Sequence, residues 1–203
     1  MEKSFWVFAY GSLMWNPGFE PDSVLPARIY GYHRRFCLYS TNYRGTDEHP
    51  GLVLGLERGG SCTGLLMQVK AHQSEQVRQE LWQREMSGGT YEAKIIPALP
   101  MVDTASRAPI PALAFVINRK HDRYAGKLCL DTQAALIAIA KGKRGSNEIY
   151  LSETVACLQK LGCCPSELVV LLEKVHQCCE KKMVAVGPEV PSMQYVTEQS
   201  SPL

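Results

Sequence analysis

The sequence predicts an α+β fold built on a largely antiparallel, barrel-like sheet. Two observations carry this. Short apolar or alternating runs, separated by Gly, Pro, Asn and Asp clusters, crowd the chain before residue 118, and helical patterns occupy most of the remainder. Only one helix interrupts the strands, and strands that come first with helices later argue for segregated layers rather than alternating βαβ units.

Each element has a local signature. Phe5–Ala9 is an unbroken apolar run, and 28–32, 52–57 and 64–69 read as three further strands. A helix begins near Ser74, a candidate cap, carries Val77 and Leu81 four apart, and stops at Ser87-Gly88-Gly89. Strands 94–99 and 111–117 complete the sheet. The helical half comprises 132–141 after a capping Asp131, then 147–161 and 165–183. One domain is expected over 1–186. The stretch 187–203, with three prolines and few apolar residues, reads as a tail that is mobile or laid over the surface.

Composition narrows the function classes. The chain has 203 residues, 45% hydrophobic and 21% charged, with a formal net charge of +2. No basic run interleaves with aromatics, so a nucleic-acid partner is not expected and a small-molecule partner is. The apolar stretch after Lys3 is too short for a signal peptide and no stretch approaches membrane-spanning length. The eight cysteines follow no zinc or thioredoxin spacing, so a bound metal is not expected, and without an export signal they read as reduced thiols in a cytoplasmic setting; no cofactor is expected either. No oligomeric state is assigned.

Four places carry candidate chemistry. The strand Phe5–Ala9 runs into Tyr10-Gly11-Ser12-Leu13-Met14, where a turn aims backbone N–H groups at one point and glycine admits a ligand close to the backbone, a nest suited to a carboxylate. An ordinary strand-ending turn has the same pattern. Glu85 falls one further step of four beyond Val77 and Leu81, so its carboxylate shares their inward stripe in the last helical turn. Desolvation and the helix dipole then both raise its pKa toward a range useful for proton transfer. A structural ion pair with Arg84, or with Arg34-Arg35, is the alternative. Arg44, in the polar loop from Ser40 to Thr46, reads either as an anion contact or as a tie for that loop. The segment from Gly142 to Ser146 lacks the spacing of a phosphate loop, but it leads into Tyr150 early in a helix, beside a mobile glycine loop. No nucleophile elbow is present, and the five histidines form no recognisable arrangement.

Taken together, the motifs resemble the ChaC family, the glutathione-specific γ-glutamylcyclotransferases, and its bacterial members in particular. The residues that carry the resemblance are Trp6 through Pro17, Arg44-Gly45-Thr46 followed by Pro50-Gly51, and Leu81-Trp82-Gln83-Arg84-Glu85-Met86. A weaker echo runs from Gly142 to Leu151, with Asn147 and Tyr150-Leu151. The resemblance implies the γ-glutamylcyclotransferase-like fold, a small β-barrel flanked by helices. It implies glutathione as substrate, cyclised to 5-oxoproline with release of Cys-Gly. Tyr10, Gly11, Ser12 and Leu13 would hold the α-carboxylate end, with Met14, Arg44 and Tyr150 as further substrate contacts and Glu85 as the acid–base residue. Ala9 stands where members commonly carry glycine, and Leu52 where they commonly carry arginine. Other γ-glutamyl substrates, a catalytically silent binding protein on the same fold, and a thiol redox protein using Cys163-Cys164 or Cys178-Cys179 are the rival readings.

Overall fold

Strand β1 (Phe5–Ala9) enters the core directly, with Val7, Phe8 and Ala9 fully buried. In the computed structural model, which describes residues 3–86, 88–101 and 108–185, β1 is one stave of a closed five-stranded barrel. The strand order is β1-β3-β2-β4-β5, with β2 Ser23–Ser40, β3 Gly51–Val69, β4 Tyr91–Pro100 and β5 Ile110–Ile117. All neighbours pair antiparallel except where β5 meets β1 and β3, in parallel, to close the barrel.

The expected strands are present, Phe5–Ala9 with the bounds expected and the others longer than the sequence pattern marks. The runs 52–57 and 64–69 are two halves of β3, and 28–32 is only the middle of β2, which pairs with β3 from Ser23↔Gln68 to Ser40↔Gly51. Gly59 and Gly60, at φ +103° and +67°, let β3 bulge without leaving the ladder, which is why a glycine pair that reads as a break is not one. The barrel is filled by large apolar side chains, among them Phe8, Ile29, Leu54, Leu56, Leu66 and Phe115.

Helix α1 (Ser74–Met86) follows a one-turn 3-10 helix, Ala71–Gln73, and buries Val77 and Leu81 as its spacing predicts. Helix α2 spans Leu130–Ile139, so the expected span of 132–141 is corrected at both ends. Cys129 takes the capping position, Asp131 lies in the first turn, and Lys141–Gly142 leaves the helix to form β6. β6 pairs with β7 (Gly145–Ser146) as a two-residue ribbon. Helix α3 (Asn147–Lys160) is capped by the Ser146 hydroxyl, which accepts the N–H of Ile149 at 3.3 Å, and α4 (Ser166–Ala185) packs against α2 and α3. Among the described residues no helix is long and apolar enough to cross a membrane. The expected tail, 187–203, and the last residue of the expected domain lie outside the described residues.

Candidate active site

The end of β1, the end of α1, the loop after β2 and the start of α3 converge on one cleft of about 300 Å³, with a narrow recess beneath it. Tyr10, Gly11, Ser12, Leu13, Glu85 and Tyr150 all line the recess. Ser12, Arg44, Glu85 and Tyr150 line the cleft above it. Of the sequence candidates only Met14 borders neither, because its side chain turns into the core.

Past Ala9 the backbone winds into a single 3-10 turn, Ser12–Met14, closed by Met14 N–H donating to Gly11 O at 2.8 Å. The N–H groups of Ser12 and Leu13 precede that first bond and have no acceptor within the turn. The Tyr10 hydroxyl is a strut, donating to Phe115 O at 2.7 Å, and burial holds its pKa well above the ordinary tyrosine value. A Cβ on Gly11 would stand 3.1 Å from the Tyr150 hydroxyl, so this position needs glycine for the approach of a neighbour as well as of any ligand.

Glu85 occupies the position its spacing assigns, in the last turn of α1 with only 16% of its side chain exposed. Burial raises its pKa, and the Arg84 and Arg144 guanidinium groups offset part of that rise. Arg84 donates through Nε to Glu85 Oε1 at 3.0 Å, through Nη2 to Ser12 Oγ at 2.9 Å and through Nη1 to Asn16 O at 2.8 Å. One guanidinium thus ties α1 to the turn after β1. The alternative pairing of Glu85 with Arg34 or Arg35 does not occur: Arg34 binds Tyr10 O and Thr63 O, and Arg35 binds Glu57.

Tyr150, on the first turn of α3, accepts the Leu54 N–H at 3.3 Å, and burial pushes its hydroxyl up to about 12. Arg44 ties its loop, donating to Ser146 O at 3.1 Å and lying 5.4 Å from the Tyr150 ring centre, and also faces the cleft. The expected mobile glycine loop is instead bonded in place: Lys143 N–H donates to Asn42 O and Arg144 N–H to Tyr43 O, both at 2.9 Å. Leu52 is fully buried and does not border the cleft.

Sequence reasoning missed Tyr91 and Arg123. Tyr91 borders both cleft and recess and donates to Leu54 O at 2.8 Å; its place six residues after Glu85 was the available signal. Arg123 arrives from the segment after β5, with no local signal at all. Among the described residues Arg44, Arg84, Arg123 and Arg144 line the cleft against Glu85 as its one carboxylate, which makes the site electropositive and suited to an anionic ligand. No cysteine lines it among the described residues, which separates the thiols from this chemistry. Among the described residues no three His, Cys, Asp or Glu side chains are grouped to hold a metal ion.

Comparison with known proteins adds four findings. A family model described as ChaC-like protein matches residues 5–181. The glutathione-specific γ-glutamylcyclotransferase of Escherichia coli is 37% identical over 161 residues, covering 79% of this chain and 68% of that protein. The Schizosaccharomyces pombe protein of the same name is 34% identical over 179 residues, covering 79% and 85%. A crystal structure of a yeast γ-glutamyl cyclotransferase specific to glutathione superposes with a TM-score of 0.78 at 22% identity, over 86% of this chain and 96% of that one. At that identity the superposition supports the fold.

Proposed function

The chain belongs to the ChaC-like family, and from that premise we propose that it degrades glutathione by cyclising the γ-glutamyl group, releasing 5-oxoproline and Cys-Gly, with Glu85 as general base. The observation that carries this is the Glu85 carboxylate, largely desolvated, raised in pKa and set at the junction of an arginine-lined cleft and a recess. The nucleophile is already in the substrate. The α-ammonium of the γ-glutamyl unit gives a proton to Glu85, the freed amine attacks the δ-carbonyl, and a five-membered lactam closes. The bond to cysteine then breaks; Glu85 returns the first proton to the departing amine, and the second, shed by the ring nitrogen as the lactam forms, also ends on that amine, which leaves as an ammonium, so that no water is consumed.

A general base of this kind contributes typically ~10²–10⁴-fold, and holding the chain folded so that nitrogen meets carbonyl contributes more. The N–H groups of Ser12 and Leu13 are the donors for the α-carboxylate, at the closed end of the site. Tyr150 and Tyr91 wall the recess beside Glu85, and Arg44 extends the positive surface above it. Eight cysteines at no zinc or thioredoxin spacing fit a reducing, cytoplasmic compartment, where glutathione is available in its thiol form. The test is incubation of the purified chain with glutathione and mass detection of products. Equal amounts of 5-oxoproline and Cys-Gly are expected; glutamate appearing in place of 5-oxoproline would mean hydrolysis and overturn the reading.

A further inference from the structure

The four arginines of the cleft divide into two that the protein uses and two that it leaves over. Arg84 is spent on Ser12, Asn16 and Glu85, and Arg44 on Ser146 and the Tyr150 ring. Arg144 lies over the Tyr43 ring, 4.3 Å from its centre. Among the described residues the guanidinium groups of Arg123 and Arg144 make no hydrogen bond or ion pair. Nor is Arg123 on a free loop. Its carbonyl accepts the Tyr39 N–H at 2.9 Å and its N–H donates to His121 Nδ1 at 3.1 Å. The next two residues are pinned as well: Tyr124 bridges to Leu38 and donates its hydroxyl to the buried Glu57, and Ala125 N–H donates to Cys37 O at 2.8 Å. Glu57 itself is turned toward Arg35 and Arg119, and Asp122 is exposed to solvent, so neither carboxylate serves Arg123.

Arg144 also acts on Glu85 through space, but neither guanidinium is hydrogen-bonded or ion-paired to a carboxylate among the described residues. A guanidinium at a cleft wall with its donors unspent favours an anion there, and planar guanidinium matches carboxylate geometry. We propose that Arg123 and Arg144, which line the cleft but not the recess, form a second carboxylate subsite that binds the terminal carboxylate of a γ-glutamyl tripeptide. This rests on the cyclotransferase reading of the site. The α-carboxylate belongs at the recess end, beside Glu85, which leaves the carboxylate of the glycine residue to these two cations. The subsite selects peptides that end in a free carboxylate over γ-glutamylamines.

The test compares kcat/KM for glutathione with that for its glycine carboxamide, measuring 5-oxoproline release by the full chain, the R123Q and R144Q variants and the double variant. Wild type is expected to favour glutathione by about tenfold or more, the scale of one lost charge-assisted hydrogen bond. Each single variant lowers that ratio several-fold, and the double variant brings it near one. Because the ratio is internal to each protein, a loss of folded protein cannot mimic the result. A wild-type ratio near one, or a ratio the substitutions leave unchanged, overturns the subsite alone. Release of 5-oxoproline from neither peptide overturns the cyclotransferase reading and the subsite with it.

Discussion

The side-chain amide of Asn147 closes on the backbone of Leu52 from both directions, accepting its N–H at 2.5 Å and donating to its C=O at 2.8 Å. Both residues are fully buried, so this clasp is what fixes the start of α3, and with it Tyr150, against β3. Asn147→Ala leaves two buried backbone groups unpaired and should cost roughly 2–4 kcal/mol of stability. Urea unfolding measures this as a lowered midpoint at constant slope. A midpoint equal to wild type would mean that water takes over the clasp without loss.

Gly11→Val places branched carbon where the Tyr150 hydroxyl already stands 3.1 Å from a hypothetical Cβ, and fills the approach to the Ser12 and Leu13 N–H groups. Glutathione binding should be lost while the circular dichroism spectrum stays that of the wild type. Calorimetric binding at wild-type affinity would move the pocket elsewhere.

Arg84 works in two directions at once, since it anchors the turn through Ser12 and lowers the pKa of Glu85 against the effect of burial. Arg84→Gln removes the charge, so the Glu85 pKa should rise further. The acid limb of kcat/KM against pH then moves to higher pH, with KM raised as the turn loosens. An acid limb that stays in place would show that Glu85 is not the group titrating there.

Much of this site was legible in one dimension because its two central parts are local patterns. The apolar run Phe5–Ala9 ending in Gly11-Ser12 marks a strand that delivers a turn, and a carboxylate at the next step of four after Val77 and Leu81 marks a buried acid. What stayed hidden depends on pairing across distance. From sequence, Arg34 and Arg35 are open as ion-pair partners of Glu85; within the sheet Arg35 meets Glu57 of β3, and Arg34 reaches Tyr10 and Thr63. Arg123 comes to the cleft only because its neighbours join the edge of β2 at Cys37, Leu38 and Tyr39, a placement no local pattern encodes.

Glu85→Gln separates the two readings that the sequence left open, since it keeps the shape of the side chain and removes the group that takes a proton. As general base, Glu85 is worth ~10²-fold or more in turnover, and glutathione should still bind, because the contact surface is retained. Stability gives an independent sign. Burial raises the pKa of Glu85 in the folded chain above its unfolded value. The protonated form is therefore favoured in the fold. Its contribution to stability is fully present below the unfolded pKa and is lost as pH rises through the folded one. Near neutral pH the wild-type protein holds a carboxylate in a site that disfavours the charge, so Glu85→Gln should be at least as stable there, with its advantage shrinking as the solution is acidified. A structural partner of Arg84 predicts the reverse: turnover persisting at a substantial fraction of wild type, with the thermal midpoint lowered. Retained turnover together with a lowered midpoint at pH 7 would take Glu85 out of the mechanism and leave it as a strut between α1 and the turn that Arg84 holds.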